Sequence, residues 1–338
     1  MHTQVLNIDK FWAQKQVLIT GAGGFIGSHL VERLVGFGAQ VRAFVRYNSR
    51  GDAGLLRMVS PEVQGKLQIV SGDLRDGQAI QDAVAGCEYV FHLGALISIP
   101  YSYLHSYEVA ETNFMGTLNV LNACHHSGVT RLIHTSTSEV YGTARYTPMD
   151  EKHPLQGQSP YSASKIGADK LAESYYCAYQ LPVVTVRPFN TYGPRQSARA
   201  VIPAMITQAL TCDTVHVGNL ETSRDFTFVN DTVNGFLCAA RAHHVEGKTI
   251  NLGTGSEIKI GHLASKILSM IGSHAKVMVD SMRLRPKDSE VYRLMSDNSL
   301  ARKTLGWRPQ TELDQGLEAT IAWIQKHLDL YRVGAYEF

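Results

Sequence analysis

Short apolar runs rich in β-branched residues alternate with helix-length segments along the first half of the chain. The apolar runs read VLIT from residue 17, then VRAFV (41–45), LQIV (67–70), YVFHL (89–93), RLIHTS (131–136) and PVVTVRP (182–188). Helical patterns lie between them at 25–37, 77–85, 108–127 and 162–179. Strands that alternate with helices of this length build βαβ units on a parallel sheet covered on both faces. The pattern predicts an α/β fold with a doubly wound parallel sheet.

The alternation becomes less regular after about residue 195. Short strands are predicted at VHVG, DFTFV and TINLG, and helices near 200–211, 231–242, 260–271 and 313–328. A chain of 338 residues suits two domains of ordinary size. We therefore expect one lobe over residues 1–195 and a smaller carboxy-terminal α/β lobe over 196–338, with later segments crossing back to the first lobe.

Composition excludes several classes of protein. Hydrophobic residues make up 44% and charged residues 18% of the chain, which rules out a disordered or coiled-coil protein. The 32 basic and 30 acidic side chains leave a formal charge of +2, so no global field attracts nucleic acid or a membrane surface. An anionic ligand must instead be held by a few well-placed arginines.

The cysteines and histidines indicate neither disulfides nor a metal. The five cysteines are scattered without a CxxC pair, which is typical of reduced thiols in the cytoplasm. The paired histidines at 125–126 and 243–244 have no partners at ligand spacing, so we expect no metal site. No apolar run approaches the ~20 residues of a membrane span, and the polar amino terminus does not look like a signal peptide. We expect a soluble cytoplasmic protein.

The clearest chemical signal is the glycine-rich segment GAGGFIG that follows the first predicted strand. Gly21 permits the tight turn, Gly24 lets the backbone approach a pyrophosphate, and Gly27 lets the helix pack closely on the strand. Phe25 and Ile26 then open the helix, whose amino-terminal N–H groups and partial positive charge suit phosphates. Because the motif lies at the first strand–helix junction of a βαβ array, it predicts a dinucleotide cofactor.

The end of the second strand bears on which dinucleotide binds. NAD-binding proteins place an acid about 20 residues after the glycines, where it bonds the adenosine ribose. This chain has Arg46 there, with Asn48 and Ser49 close by. A cation and a hydroxyl suit a 2′-phosphate, so the sequence leans slightly towards NADP, with NAD left open.

Three further residues at strand ends are predicted to face the same cofactor. Asp73 and Leu74 follow the third strand, where the carboxylate can accept a hydrogen bond from an adenine amino group. Leu93 ends the fourth strand. Ligands of doubly wound sheets bind at such carboxyl ends.

A candidate catalytic set combines a helix with the end of the fifth strand. Tyr161 and Lys165 stand four apart in YSASK, so they share one helix face and the ammonium can favour a phenolate. Thr137, Ser138 and Glu139 follow the fifth strand. We interpret these five residues as catalytic, with Tyr161 and Lys165 also contacting the cofactor.

The motifs together resemble an extended short-chain dehydrogenase/reductase of the NAD-dependent epimerase/dehydratase family, acting on nucleotide sugars. GAGGFIG, GDLRD, HLGA, TNFMGTLNVL, TSEVYG, YSASK, RPFNTYGP, RDFTFV, NLGTG and LGWRP all fit, over nearly the whole chain. Within the family, AFVRYNS, HTSTSEVYGTA, DEKHPLQGQSPYSASKIGADKLAES and RPFNTYGPRQSARAVIP resemble the nucleotide-N-acetylglucosamine 4,6-dehydratases of the legionaminic acid pathway. The resemblance implies a Rossmann domain over 1–195 and a nucleotide-sugar lobe over 196–338.

The resemblance also implies a reaction. Tyr161, aided by Thr137 and Lys165, takes the proton of the sugar 4-hydroxyl while hydride leaves C4. The resulting ketone acidifies the C5 proton, which Glu139 removes, and water leaves from C6 before hydride returns there. The sequence is redox neutral, so the nicotinamide cofactor stays bound and is regenerated in each turnover.

One departure from the family pattern leaves alternatives open. Many 4,6-dehydratases have Thr-Asp-Glu where this chain has Thr-Ser-Glu, and serine is a poor acid. Either Glu139 serves as both base and acid, or Ser138 relays a proton through water. The same triplet resembles UDP-glucuronate decarboxylases, which remain the rival. A 4-epimerase does not need the glutamate, and a non-catalytic dinucleotide sensor does not need this set of side chains.

The resemblance finally implies substrate contacts and an assembly. Asn190, Arg224, Asn251 and Arg285 match positions near the sugar or diphosphate, with Arg199 and Arg283 as weaker candidates. Arginine suits a diphosphate because its planar fork binds two oxygens. In the family, the helices matching 108–127 and 162–179 form a four-helix interface, which implies a homodimer.

Overall fold

The computed structural model describes residues 10–334, and its centre is a seven-stranded sheet in which every neighbouring pair is parallel. The spatial order is β3-β2-β1-β4-β5-β6-β11. These strands are β1 (Gln16–Thr20), β2 (Gln40–Arg46), β3 (Gln68–Gly72), β4 (Tyr89–His92), β5 (Arg131–Thr135), β6 (Val183–Pro188) and β11 (Thr249–Leu252). The predicted doubly wound α/β fold is confirmed. From β1 the chain adds β2 and β3 on one side, and it then returns to add β4, β5 and β6 on the other side. Sheets of this kind bind their ligands at such a switch point, which here lies between β1 and β4.

Both faces of the sheet are buried because alternate strand residues point to opposite sides. Val17 and Ile19 belong to one apolar core, and Leu18 between them belongs to the other. The principal helices are α1 (Phe25–Gly36), α2 (Pro61–Gln64), α3 (Gly77–Val84), α4 (Ile99–Leu104), α5 (Ser106–Ala110), α6 (Gly116–Ser127), α7 (Pro160–Tyr179), α8 (Val201–Thr211), α9 (Val229–Arg241), α10 (Ile260–Ile271), α11 (Ser299–Leu305) and α12 (Leu313–Lys326). The nearly continuous apolar strands seen in the sequence follow from this two-sided cover.

The segment predicted as one helix over 108–127 is built in three parts. Helix α5 leads into a π-helical turn at Glu111–Met115, and α6 continues from Gly116. Gly116 is required at that junction because a Cβ there would lie 2.8 Å from the Cβ of Leu74. The close approach brings this helical segment against the loop that follows β3.

The later part of the chain contributes small sheets and one strand of the central sheet. Three two-stranded pairs join β7 (Asn190–Tyr192) to β10 (Phe226–Phe228), β9 (Ser223–Arg224) to β12 (Ile258–Lys259), and β8 (Thr214–Val217) to β13 (Lys276–Val279). Strand β11 pairs with β6, so a segment beyond residue 195 lies within the large sheet. The lobe boundary near residue 195 stays a prediction, and the outermost parts of both predicted lobes, 1–9 and 335–338, lie outside the described residues.

The described residues also show where Trp12 and the cysteines lie. Trp12 is fully buried and its ring contacts those of Tyr89 and Phe91 on β4. All five cysteines fall within residues 10–334, and each is a free thiol. In that same range no helix is long and apolar enough to cross a membrane, and no group of three or more His, Cys, Asp or Glu side chains is arranged to hold a metal ion.

Candidate active site

The glycine turn after β1 can only be built from glycines. Gly21 has a φ of +69°, and a Cβ on it would lie 2.8 Å from the backbone nitrogen of Gly94. A Cβ on Gly27 would lie 2.2 Å from the carbonyl oxygen of Gly21. Gly24 is the N-cap residue of α1, and the helix begins with Phe25 and Ile26 directly after the glycine turn. The arrangement is a backbone cradle of the kind that accepts phosphate groups.

A cavity of about 140 Å³ adjoins this cradle at the carboxyl ends of the strands. Gly21, Arg46, Asp73 and Leu74 line it, together with residues 94–96. The side chain of Arg75 donates to both oxygens of Asp73, at 3.0 and 2.7 Å, and this hydrogen bonding lowers the pKa of the carboxyl. The predicted residues after β3 therefore meet the glycine turn around one pocket. Leu93 follows β4, and its backbone N–H donates to the Thr20 carbonyl at 3.2 Å.

Two polar side chains at the end of β2 and in the loop after it have partners within the protein. The guanidinium of Arg46 lies 3.2 Å from the Glu108 carboxylate on α5. Asn48 donates to the Asp52 carbonyl at 2.7 Å and accepts from two backbone N–H groups of the same loop. Ser49 is exposed. Of the three residues that suggested a 2′-phosphate, Arg46 thus has an acid beside it and Asn48 shapes the loop.

The start of α7 fixes Tyr161 in the site. Ser159 and Ser162 form a capping box, and Pro160 occupies the first helical position, so the helix begins sharply there. Tyr161 is 6% exposed. Burial raises the pKa of its phenol, while a hydrogen bond with Thr137 acts in the opposite direction and the charge of Glu139 adds to the rise. Thr137, which caps the short turn Ser138–Tyr141, is thereby brought to the phenol from the end of β5.

Lys165 lies one turn further along α7 and is 3% exposed. Burial lowers the pKa of its ammonium group to about 8, and the charge of Asp169 acts in the opposite direction. A buried cation near a buried phenol favours loss of the phenolic proton. Thr137 and Glu139 thus lie at the Tyr161 phenol, Lys165 follows one turn later on the same helix, and Ser138 is buried; their catalytic role stays a prediction.

Two arginines border the Glu139 carboxylate. Arg285 Nη1 lies 3.6 Å from Glu139 Oε2. Arg224 is buried and lies 3.8 Å from Glu290, and burial lowers the pKa of its guanidinium despite the nearby charge of Glu139. Both predicted diphosphate ligands thus lie near Glu139, where an anionic group would meet two cations.

The other predicted substrate contacts are placed differently. The side-chain oxygen of Asn190 is buried and has no hydrogen-bond partner among the described residues. Asn251 is fully buried, and its side chain accepts from the Tyr141 hydroxyl at 2.7 Å and donates to the Met149 carbonyl at 3.1 Å. Arg199 is exposed, two residues before α8. Asn190 therefore has an unpartnered side-chain oxygen, whereas both side-chain polar atoms of Asn251 are hydrogen-bonded within the protein.

The chain is similar to known proteins over most of its length. Residues 18–320 match the protein family described as GDP-mannose 4,6 dehydratase. The chain belongs to that family. Its members share the extended short-chain dehydrogenase/reductase architecture, so the family predicted from the motifs is confirmed, while the legionaminic acid subtype stays a prediction.

The proteins similar to this chain include named enzymes and solved structures. A mouse protein named dTDP-D-glucose 4,6-dehydratase is 30% identical over 324 residues, which cover 93% of this chain and 89% of that protein. The structure of DesIV, a dTDP-glucose 4,6-dehydratase from Streptomyces venezuelae with NAD bound, has a TM-score of 0.84 and 28% identity and covers 94% of this chain and 99% of DesIV. MoeE5 in complex with UDP-glucuronic acid and NAD gives a TM-score of 0.82 and 30% identity, covering 92% and 99%.

Sequence reasoning missed a buried polar cluster on α7, the helix that carries Tyr161 and Lys165. Asp169 accepts hydrogen bonds from His134, Ser136 and Arg187, all of them buried. A signal was present, since Asp169 repeats the four-residue spacing that relates Tyr161 to Lys165. Its partners could not be found that way because they come from β5 and β6, far away in the sequence.

Proposed function

We propose that this protein is a nucleotide-sugar 4,6-dehydratase with a tightly bound, regenerated nicotinamide dinucleotide. The observation that carries the proposal is the convergence of Thr137 and Glu139, from the end of β5, with Tyr161 and Lys165, from one face of α7. A phenol, a supporting cation and a separate carboxylate supply one base for a hydroxyl and another for a carbon acid.

The residues around the glycine turn fit a dinucleotide. Gly21, Gly24 and Gly27 with the start of α1 would hold the pyrophosphate, and Asp73, Leu74 and Leu93 would border the adenosine and nicotinamide halves. When bound, the nicotinamide supplies a reversible acceptor for hydride from the sugar. We favour NAD over NADP, because Glu108 beside Arg46 would repel a 2′-phosphate and because DesIV and MoeE5 hold NAD.

The side chains divide the proton transfers between them. Tyr161 accepts the proton of the sugar 4-hydroxyl, with Thr137 bonded to its phenol and the Lys165 charge stabilising the phenolate. Glu139 then removes the C5 proton, which the neighbouring ketone has made acidic. Ser138 is too weak an acid to protonate the departing C6 hydroxyl. Glu139 therefore donates the proton taken from C5 to that hydroxyl, either directly or through a water bound by Ser138.

The substrate is a diphosphate-linked hexose. Arg224 and Arg285 would bind the diphosphate, and the unpartnered Asn190 oxygen would accept a hydrogen bond from it or from the sugar. The finer assignment, UDP- or GDP-N-acetylglucosamine, rests on the sequence segments that resemble the legionaminic acid enzymes. A four-helix homodimer is proposed on the same grounds.

The rival activity is decarboxylation of UDP-glucuronate. It needs no acid at position 138, and Arg285 beside Glu139 could hold a sugar carboxylate. MoeE5, which is similar to this chain, was solved with UDP-glucuronic acid. A 4-epimerase is less well supported because Glu139 has no task in that reaction.

A panel of sugar nucleotides tests these alternatives. The purified protein is incubated with UDP- and GDP-N-acetylglucosamine, dTDP-glucose and UDP-glucuronate, with NAD or NADP added, and the products are analysed by mass spectrometry. Loss of one water from a hexose donor supports the dehydratase, and loss of carbon dioxide from UDP-glucuronate supports the rival. If every donor is returned unchanged, the proposed class of reaction is wrong.

A further inference from the structure

Asp169 is a buried carboxylate to which the proposed chemistry gives no task. It lies on α7 one turn after Lys165 and two turns after Tyr161, and it is 5% exposed. Oδ1 accepts from His134 Nε2 at 3.1 Å, and Oδ2 accepts from Ser136 Oγ at 2.8 Å and from Arg187 Nε and Nη2 at 3.1 and 2.8 Å. Because both oxygens act only as acceptors in these contacts, the side chain is an ionised carboxylate.

The cluster joins the two elements that carry the catalytic side chains. His134 belongs to β5, Ser136 follows it directly, and Thr137 is the next residue of the chain. Arg187 belongs to the neighbouring strand β6. Asp169 therefore ties α7, with its tyrosine and lysine, to the strand end that carries the threonine and glutamate.

The charges at this level of α7 do not balance without Asp169. Lys165 and Arg187 are two buried cations, and Asp169 is the anion that interacts with both. Tyr161 stands one turn before Lys165 on the same helix, and the charge of Lys165 acts on His92 of β4 and His134 of β5. Burial lowers the pKa of both histidines, so they stay neutral. The charge of Glu139 acts on the Tyr161 phenol. A neutral residue at 169 would leave two buried cations without the anion that interacts with both.

We propose that Asp169 is the positioning residue of this site, which keeps Lys165 both charged and aligned beneath Tyr161. The inference rests on the proposed function, since it takes the role of Lys165 from there. A purely structural account would have Asp169 only fasten α7 to the sheet. The two accounts differ in what happens to the Lys165 proton when the charge at position 169 is removed.

The test follows the Lys165 proton directly. Protein labelled with ¹³C at the lysine Cε is titrated by NMR in the wild type and in Asp169→Asn, and the Lys165 signal is assigned by its absence in Lys165→Met. Burial already lowers the pKa of Lys165 to about 8. Loss of the partner carboxylate should lower the midpoint by a further unit or so, about the smallest effect expected of an opposite charge at close range.

Ser136→Ala is the matched control. It removes one hydrogen bond from the same carboxylate, 2.8 Å long, and leaves the charge in place. Its Lys165 midpoint should stay at the wild-type value, although the protein is expected to lose some stability. If Asp169→Asn also leaves the midpoint unchanged, Asp169 is only structural and the inference is wrong.

A second variant keeps the test usable if Asp169→Asn does not fold. Asp169→Glu retains the negative charge, so its Lys165 midpoint should remain at the wild-type value even though the packing is disturbed. A midpoint that falls in this variant would contradict a role for the charge.

A cavity of about 400 Å³ on the other side of Asp169 offers an independent check. Asp169, Arg187 and Glu151 line it, and it is large enough to admit a small anion beside the arginine. In Asp169→Ala, added formate should raise the lowered Lys165 midpoint towards that of the wild type, whereas chloride at the same ionic strength should not. A midpoint that does not respond to formate would show that loss of the anion was not the cause.

These measurements do not depend on turnover, so their failure is separable from failure of the proposed function. If the panel of sugar nucleotides gives a product, the alkaline limit of the rate should move to lower pH in Asp169→Asn and stay in place in Ser136→Ala. A uniform loss of rate at every pH in Asp169→Asn would support the structural account instead.

Discussion

Glu139 Oε2 lies 3.6 Å from Arg285 Nη1, so the proposed carbon base is paired with a proposed diphosphate ligand before any substrate arrives. The Glu139 side chain is 12% exposed and that of Arg285 is 25% exposed. A diphosphate that binds Arg285 competes with Glu139 for the same guanidinium. Substrate binding would therefore release the base for its reaction.

This competition predicts an unusual effect of a catalytic substitution. Glu139→Gln removes the internal partner of Arg285, so nucleoside diphosphates should bind as tightly as in the wild type or more tightly, while turnover is lost. Arg285→Ala should weaken the same binding by about tenfold or more, because a charge-assisted contact is removed. Calorimetry with UDP, GDP and dTDP measures both. Weaker binding in Glu139→Gln would contradict the competition.

The phenol at position 161 should be essential for turnover and dispensable for folding. Tyr161→Phe should lower kcat by about 10²- to 10⁴-fold, as expected for loss of a general base, with cofactor binding retained. Tyr175→Phe is the control, since that phenol lies on the same helix and bonds Asn122 away from the site. It should cost about 1 kcal/mol of stability and leave the rate unchanged. Equal losses of rate in the two variants would remove the special role of Tyr161.

Stability should depend on pH through Lys165. Burial lowers its pKa to about 8 in the folded protein, against 10.5 as the ordinary value, so between these limits the unfolded chain holds a proton that the folded one has released. The free energy of unfolding should therefore rise with pH in this window. By pH 9.5 the gain is about 2 kcal/mol relative to pH 7. Lys165→Met has no titratable group at this position, so its denaturant unfolding should show no such gain. A gain of equal size in that variant would show that Lys165 is not its source.

The glycine turn should tolerate no side chain at its third glycine. A Cβ on Gly27 would lie 2.2 Å from the Gly21 carbonyl oxygen, so Gly27→Ala should lose dinucleotide binding and about 1–3 kcal/mol of stability. Gly36→Ala, at the other end of α1, meets nothing within 4 Å and should change stability by less than about 1 kcal/mol. Fluorescence titration with NAD and thermal unfolding compare the two. Undisturbed NAD binding in Gly27→Ala would mean that the turn is not the cofactor cradle.

The expected homodimer has candidate contact residues on the described surface. Leu104, Tyr107 and Met115 are 64%, 79% and 44% exposed along the segment that leads into α6. Tyr107→Glu should convert a dimer into monomers if this face is the interface, because a carboxylate would be buried there without a partner. Met282→Glu, an equally apolar and exposed position in the later part of the chain, serves as the control. Light scattering after size exclusion gives the mass, and a dimer that survives Tyr107→Glu would place the interface elsewhere.

The sequence by itself determined the parallel sheet and the glycine turn, and it predicted which side chains at the strand ends and on α7 would be catalytic. Each of these depends on local rules: strand runs separated by helices, three glycines at one turn, and two side chains four residues apart on a helix. Even the meeting of Glu139 with Tyr161 followed from topology, since strand ends of such a sheet face one crevice.

Only the tertiary structure decided which polar side chains already have hydrogen-bond or ion-pair partners within the protein. Asn251 appeared equivalent to Asn190 in the sequence, yet its side chain bonds Tyr141 and Met149 while the oxygen of Asn190 stays unpartnered. Asp169 proved to join α7 to two strands inside the protein, and at the surface Arg46 proved to lie against Glu108. Such pairings depend on distances between elements remote in the chain. Hydrogen-bond satisfaction in the interior, which no local pattern encodes, selects them.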